Sequence, residues 1–233
     1  MIKQLSVFFP AFNEERNLFA TVTRAKAVLN KSFDDWEVII VNDGSTDGTA
    51  GEIKKLEALD ERIKSVTHDF NRGYGATIRS GIYNCQYDWI VFTDSDGQFD
   101  FSEVANFIEV QGKTGADLII GYYLKRSVPF YRKINTFAWQ VVVNLLFNLH
   151  VRDIDCGFKL FSKRLVESIP VLESERGAFV STEFLVKAKK AGFMITEVGV
   201  HHYPRKAGRG TGSNLNVIIR SFVDLIKLWK KLL

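Results

Sequence analysis

Asp88 to Gln98 read DWIVFTDSDGQ. Trp89 to Phe92 is a short, wholly apolar run, and two carboxylates two positions apart, Asp94 and Asp96, follow it almost at once. A strand buried on both faces, as in a parallel sheet, reads as an unbroken apolar run. The acidic residues therefore mark its exit. Two carboxylates at such an exit can hold a divalent cation and still leave coordination positions for diphosphate oxygens and water. An Asp-rich turn is the plainer reading of the same residues.

The same grammar recurs on both sides of this stretch. Upstream, LSVFFPAF (Leu5 to Phe12) precedes a helix-compatible segment from Glu14 to Leu29, and WEVIIVNDGS (Trp36 to Ser45) precedes another from Asp47 to Leu59. IKSVTHD (Ile63 to Asp69) precedes Gly75 to Cys85. Downstream, Phe101 to Gly112 leads into DLIIG at Asp117 to Gly121. Apolar strands alternating with helices predict an α/β fold, with a mostly parallel central sheet and helices on both faces. Asn13 with Glu14, Asp43, and Asp94 with Asp96 all follow strands, and ligands of open α/β sheets bind at the carboxyl ends of strands.

The second half changes character. SVPFYRKINTFAWQVVVNLLFNLH (Ser127 to His150) joins a basic entrance to a long apolar run, and RDIDCGFKLFS (Arg152 to Ser162) follows with no element assigned. A helix is expected over Ser181 to Ala191, a strand at ITEVGV (Ile195 to Val200), and a final helix in NVIIRSFVDLIKLWKKLL (Asn216 to Leu233). No composition shift marks a domain boundary, and the expected division is one main unit over 1–213 with an amphipathic C-terminal helix over 214–233.

A net charge of +4 suits an anionic partner without naming it. Two cysteines make no disulfide framework, which fits a reducing, cytoplasmic setting. The N-terminal apolar stretch stops at Pro10 and reads as a strand rather than a signal peptide. No run approaches the roughly 18 to 20 apolar residues needed to span a bilayer. The glycines of VNDGSTDGT, at 44 and 48, lack GxGxxG spacing, and no GxxxxGK[ST] loop is present. A continuous basic groove interleaved with aromatics, as single-stranded nucleic acid requires, is also missing, so no nucleic-acid partner is expected.

Within VNDGSTDGT, Asp43 can accept hydrogen bonds from a base or sugar, and Ser45, Thr46 and Asp47 can cap the next helix. The segment reads equally as a well-made strand–helix turn. NRGYGATIRSG (Asn71 to Gly81) offers Arg72 and, at Gly73 and Gly75, room for close backbone approach. His201 and His202, adjacent on a strand, point to opposite faces, so at most one enters a site.

The ordered set PAFNE, VNDGSTDGT, NRGYGATIRSG and DSDGQF resembles the family 2 glycosyltransferases of the inverting GT-A type. The later segments GYYLKRSVPFYRKINTFAWQVVVNLLFNLHVRDIDCGFKLF, GAFVSTEFLVKAKKAGFMITEVGVHHYPR and AGRGTGS are similar to the branch containing dolichyl-phosphate mannosyltransferase and bacterial polyprenyl-phosphate glycosyltransferases. The likeness covers about residues 2–213. It implies that Pro10, Ala11, Asn13, Glu14 and Asp43, with Arg72 and Gly75, surround the nucleotide of a UDP- or GDP-sugar. It places Asp94, Ser95, Asp96 and Gln98 in the segment that binds Mg²⁺ or Mn²⁺ and the donor diphosphate. Arg126 and Arg132 match positions associated with an acceptor phosphate; Lys133, beside Arg132, suits holding it in line, and Arg205 and Arg209 are candidate cationic partners for phosphates. Ser95 stands where the family commonly has Ala, and Tyr123 where many bacterial relatives have Arg.

The expected reaction is transfer of a hexose, with inversion, to a polyprenyl (undecaprenyl or dolichyl) phosphate at the cytosolic membrane face. A phosphate acceptor needs little base catalysis; a hydroxyl of a glycan would need a base, for which Asp155 and Glu183 are candidates. Leu215, Ile218, Ile219, Phe222, Ile226, Trp229 and Leu233 recur at helical spacing, opposite Arg220, Asp224, Lys227 and Lys231. Such a helix fits an anionic membrane surface, its own core, or a subunit or integral membrane partner.

Overall fold

The computed structural model describes residues 2–125, 130–175, 177, 179–205, 207 and 215–232, and the side chains of these except 130–135, 215–221 and 232. Strands β1 (Gln4–Ala11), β2 (Asp35–Asn42), β3 (Ile63–Thr67), β4 (Trp89–Thr93), β5 (Leu118–Lys125), β6 (Phe158–Ser162) and β7 (Ile195–His201) form one sheet in the order β3-β2-β1-β4-β6-β5-β7. β6 runs antiparallel to both β4 and β5, and the remaining pairings are parallel. The expected mostly parallel sheet is thus present, with one reversed strand in it.

Side-chain alternation along the strands splits the core in two. Leu5, Val7 and Phe9 of β1 and Val91 of β4 meet α1 (Leu18–Ser32), α2 (Thr49–Leu59) and α4 (Val104–Thr114) on one face. Phe8, Ile90 and Phe92 meet α3 (Tyr74–Asn84), α5 (Phe130–Phe147), α6 (Lys163–Ser168), α7 (Phe179–Lys190) and α8 (Leu215–Leu232) on the other. A fully buried Phe or Leu contributes about 1.5–3 kcal/mol relative to exposure, so this two-sided burial is what holds the sheet. A 3-10 turn, Phe101–Glu103, precedes α4, and Asp100 caps it by accepting from Ser102 N at 3.0 Å.

Strand β6 is among the elements that the sequence left unassigned. Lys159, its second residue, is completely buried, and a basic residue there hides the strand's apolar pattern. The final helix docks on its own protein through Leu225 and Leu228, which are buried in the second core. Phe222, Val223 and Ile226 stay exposed. Among the described residues, no helix is long and apolar enough to cross a membrane.

Candidate active site

The exits of β1, β2 and β4 are neighbours because their strands are, and each contributes acidic groups. At the β1 exit, Asn13 adopts a left-handed backbone (φ 56°), a conformation that Asn tolerates better than most residues. Its Oδ1 accepts from Thr46 N at 2.8 Å, and its own N–H donates to Ser45 Oγ at 3.0 Å. Glu14 N donates to Thr49 Oγ1 at 2.9 Å. These bonds lash the first strand exit to the second, and Asp47 caps α2 by accepting from Thr49 N at 3.0 Å.

Asp43 is buried, with Oδ1 accepting from His68 Nδ1 at 2.7 Å and Arg72 N at 2.9 Å, and Oδ2 from Gly73 N at 2.8 Å. It therefore organises the turn 72–73. Gly75 does make a close approach, but to the Ser174 backbone, which a Cβ there would overlap. The close approach at this glycine packs α3 against the loop before α7. Arg79 belongs to the same junction, donating to Leu172 O at 3.0 Å, rather than reaching into solvent.

Asp94 and Asp96 stand at the β4 exit. Asp94 N donates to Gly157 O at 3.2 Å, and its carboxylate lies over Gly157, where any Cβ would collide with it. Tyr74 Oη donates to Asp94 Oδ1 at 2.9 Å. Loss of hydration and the neighbouring Asp96 raise the Asp94 carboxyl to about 7, and burial raises Asp96 as well. Two like charges held together out of water are the electrostatic condition that a divalent cation relieves. No third His, Cys, Asp or Glu joins them among the described residues. Ser95, between them, is buried and donates to Pro10 O at 2.6 Å, tying the turn to β1.

Arg205 closes the arrangement. Its guanidinium pairs with Glu14 and stands 3.5 Å from Asp96 Oδ2, while Nε donates to Ala207 O at 2.8 Å. Glu14 Oε2 also accepts from Asn17 at 2.7 Å. Gln98 anchors the same region, exchanging bonds of 2.8 Å with the backbone of Tyr203 through its own carbonyl and its side-chain amide. A cavity of about 730 Å³ opens beside Asp94 and Arg205, walled by Thr21 and Arg24 of α1, Phe99, Phe101 and Tyr203.

Other expected site residues fall elsewhere. Both Glu183 oxygens are committed, to the backbone N–H groups of Glu173 and Ser174 and to Lys187 at 2.6 Å. Burial alone would raise this acid, but those donors outweigh it and hold it below the ordinary glutamate value. Glu183 is therefore a clamp on the 173–174 loop, and Asp155 is the carboxylate left as a base candidate. Asp155 is half-buried, on a turn where its N–H donates to Asp153 Oδ1 at 3.0 Å. His202 packs edge-on against Tyr123, with ring centroids 4.7 Å apart, as an aromatic-core residue. Arg126, Arg209 and the side chains of Arg132 and Lys133 lie outside the described residues.

Four participants had not been singled out: His68, Tyr74, Gly157 and Lys159. Tyr74 sits inside a motif already read for its glycines. Lys159 donates to Cys156 O beneath Asp94, and burial depresses its ammonium.

Residues 6–169 match the model of glycosyl transferase family 2. The chain belongs to that family. Glycosyltransferase AglD of Haloferax volcanii is 30% identical over 215 residues, 87% of this chain and 33% of that protein. The dolichyl-phosphate beta-glucosyltransferase of Dictyostelium discoideum is 32% identical over 219 residues, 84% of this chain and 65% of that protein. The chain thus spans between a third and two thirds of these relatives. Glucosyl-3-phosphoglycerate synthase from Mycobacterium tuberculosis, in complex with Mn²⁺, UDP-glucose and phosphoglyceric acid, superposes with a TM-score of 0.71 at 18% identity, covering 98% of this chain and 80% of that one. That likeness speaks for the fold, the GT-A nucleotide-sugar transferase architecture.

Proposed function

We propose that this family 2 glycosyltransferase moves a hexose, with inversion, from a nucleoside diphosphate sugar to a polyprenyl phosphate at a membrane surface. The observation that carries the donor half is the Asp94–Asp96 pair at the β4 exit, with the Arg205 guanidinium 3.5 Å from Asp96. Asp94 and Asp96 would hold Mg²⁺ or Mn²⁺, with Gln98 beside them; the cation supplies neutralisation of charge on the departing diphosphate. Arg205 adds a second positive charge there, and its present hold on Glu14 and Asp96 keeps it aimed at that spot. Pro10, Ala11, Asn13, Glu14, Asp43 and Arg72 would frame the nucleotide.

The acceptor half is supported by two features. The relative from Dictyostelium discoideum carries dolichyl phosphate in its name. Phe137, Val141 and Leu145 recur along one exposed face of α5, and Phe222 and Ile226 are exposed on the neighbouring α8. Trp139 and Phe222 join the two helices edge-on at 5.2 Å. A two-helix apolar face beside basic residues fits insertion into an anionic headgroup layer. A phosphate with a second pKa of about 6 is already a nucleophile at neutral pH, and Arg126, Arg132 and Lys133 would hold it in line.

Transfer to a hydroxyl is the second reading, and the fold comparison leans towards it, since the superposed structure holds phosphoglyceric acid. Asp155 is the base that this reading would use. A transfer assay separates the two. Purified protein with Mg²⁺ or Mn²⁺ and radiolabelled UDP- and GDP-sugars is incubated with and without undecaprenyl or dolichyl phosphate, then extracted into organic solvent. Metal-dependent label in the lipid phase is expected. Label only in water-soluble product when saccharides or phosphoglycerate are added would replace the acceptor and keep the donor site.

A further inference from the structure

His68 lies at the end of β3, buried, between two partners. Its Nδ1 is 2.7 Å from Asp43 Oδ1, and its Nε2 is 2.9 Å from Ser80 Oγ on α3. An ionised carboxylate can only accept, so Nδ1 carries a proton; in the neutral ring Nε2 then accepts from the Ser80 hydroxyl. The tautomer is set by the chain itself, and the imidazole is fixed from both ends.

The consequence falls on Asp43. Oδ1 already takes two donors, His68 Nδ1 and Arg72 N, whereas Oδ2 takes Gly73 N and, among the described residues, no other. A carboxylate offers about four acceptor positions, so one remains, on Oδ2. Guanine presents two parallel donors, N1–H and the 2-amino group, which are best met by both oxygens of a carboxylate at once. Uracil presents one imide N–H between two carbonyls, and the exposed Arg72 side chain on the same turn can donate to one of those carbonyls.

We propose that His68, backed by Ser80, is a positioning residue that saturates one oxygen of Asp43 and so makes the base site select a single-donor base, uracil, over guanine. This deepens the donor-site reading above and rests on Asp43 facing the base. Without His68, Arg72 N and Gly73 N still hold the carboxylate, but an acceptor position opens on Oδ1 beside the one on Oδ2, so both oxygens can meet a paired donor.

The test is titration calorimetry of the full chain with UDP and with GDP in Mn²⁺, together with steady-state kinetics. The wild type should bind UDP at least about tenfold more tightly than GDP, the value of one well-placed hydrogen bond. His68→Leu should weaken UDP about tenfold, narrow the preference to about threefold or less, and raise the donor KM far more than it lowers kcat. His68→Asn, whose amide N–H can stand where Nδ1–H stood, should recover most of the UDP affinity. Should His68→Leu fail to fold, Ser80→Ala removes the outer bond alone and should cost UDP about two- to threefold. Unchanged UDP affinity and preference in both variants that fold, no rescue by Asn, or a wild type that prefers GDP would overturn the role of His68. A wild type that binds neither nucleotide would instead remove the donor-site reading itself.

Discussion

Asp94, at the exit of β4, and Glu183, inside α7, are carboxylates withdrawn from water that the fold equips in opposite ways. Glu183 receives two backbone N–H groups and the Lys187 ammonium, and Lys187 in turn donates to Val171 O at 2.6 Å. Its charge is matched on every side, and its acidity is strengthened. Asp94 receives the Tyr74 hydroxyl, faces the like charge of Asp96, and is shifted upward. A satisfied carboxylate holds structure together; a buried pair of like charges is what a bound cation would relieve. Sequence position would have ranked both as candidate chemistry, and the partners separate them.

The largest effect should come from breaking the under-satisfied member. Asp96→Asn keeps the size of the side chain and its acceptor for Gln98 N, now 3.0 Å away, but removes a charge from the pair. Transfer should fall about 10³-fold, comparable to deleting one main electrostatic stabiliser of a transition state, while the melting temperature holds. Near-normal kcat would remove the cation role from this turn.

The satisfied member should respond in the other currency. Glu183→Gln leaves the Lys187 ammonium buried beside a neutral amide, and removing one partner of a buried pair costs about 3–5 kcal/mol. Chemical denaturation should show that loss, and the double variant Glu183→Gln with Lys187→Met should be more stable than the single one. Protein that remains folded should keep its metal dependence. If instead kcat collapses at unchanged stability, Glu183 acts on the acceptor and the contrast with Asp94 fails.

This division also explains what could be read from the chain. Strands β1, β2 and β4 were legible because buried parallel strands are plain apolar runs, and their exits are marked by Pro10, Asp43 and Asp94. Helix α1 begins at Leu18 rather than Glu14 because residues 13–15 are spent tying the first exit to the second. Strand β6 was not legible: Gly157 just before it serves Asp94, and the buried Lys159 within it breaks the apolar run. The role of His68 was hidden for a different reason. A single histidine after a β segment carries no spacing signal, and only the approach of α3 brings Ser80 to its far nitrogen. In α8 Phe222 and Ile226 are exposed and Leu225 and Leu228 make the contact with the core, while the side chains of Leu215, Ile218 and Ile219, and Leu233, lie outside the described residues.

The smallest effect tests the electrostatics of the pair directly. An acid raised in the folded state from 3.8 to about 7 binds its proton more tightly there than in the unfolded chain. Its contribution to stability is therefore complete below 3.8 and disappears as pH rises through about 7. A divalent cation competes with that proton and binds the folded state alone, so it should restore more at pH 8 than at pH 5. Thermal melts with and without Mn²⁺ should show an upshift of a few degrees at pH 8 and a smaller one at pH 5. Asp94→Asn should flatten the difference, because its amide has no proton to lose over that range. An upshift equal at both pH values in the wild type would mean that the cation binds away from Asp94, and that the raised acidity constant there reflects burial with no part in holding a metal.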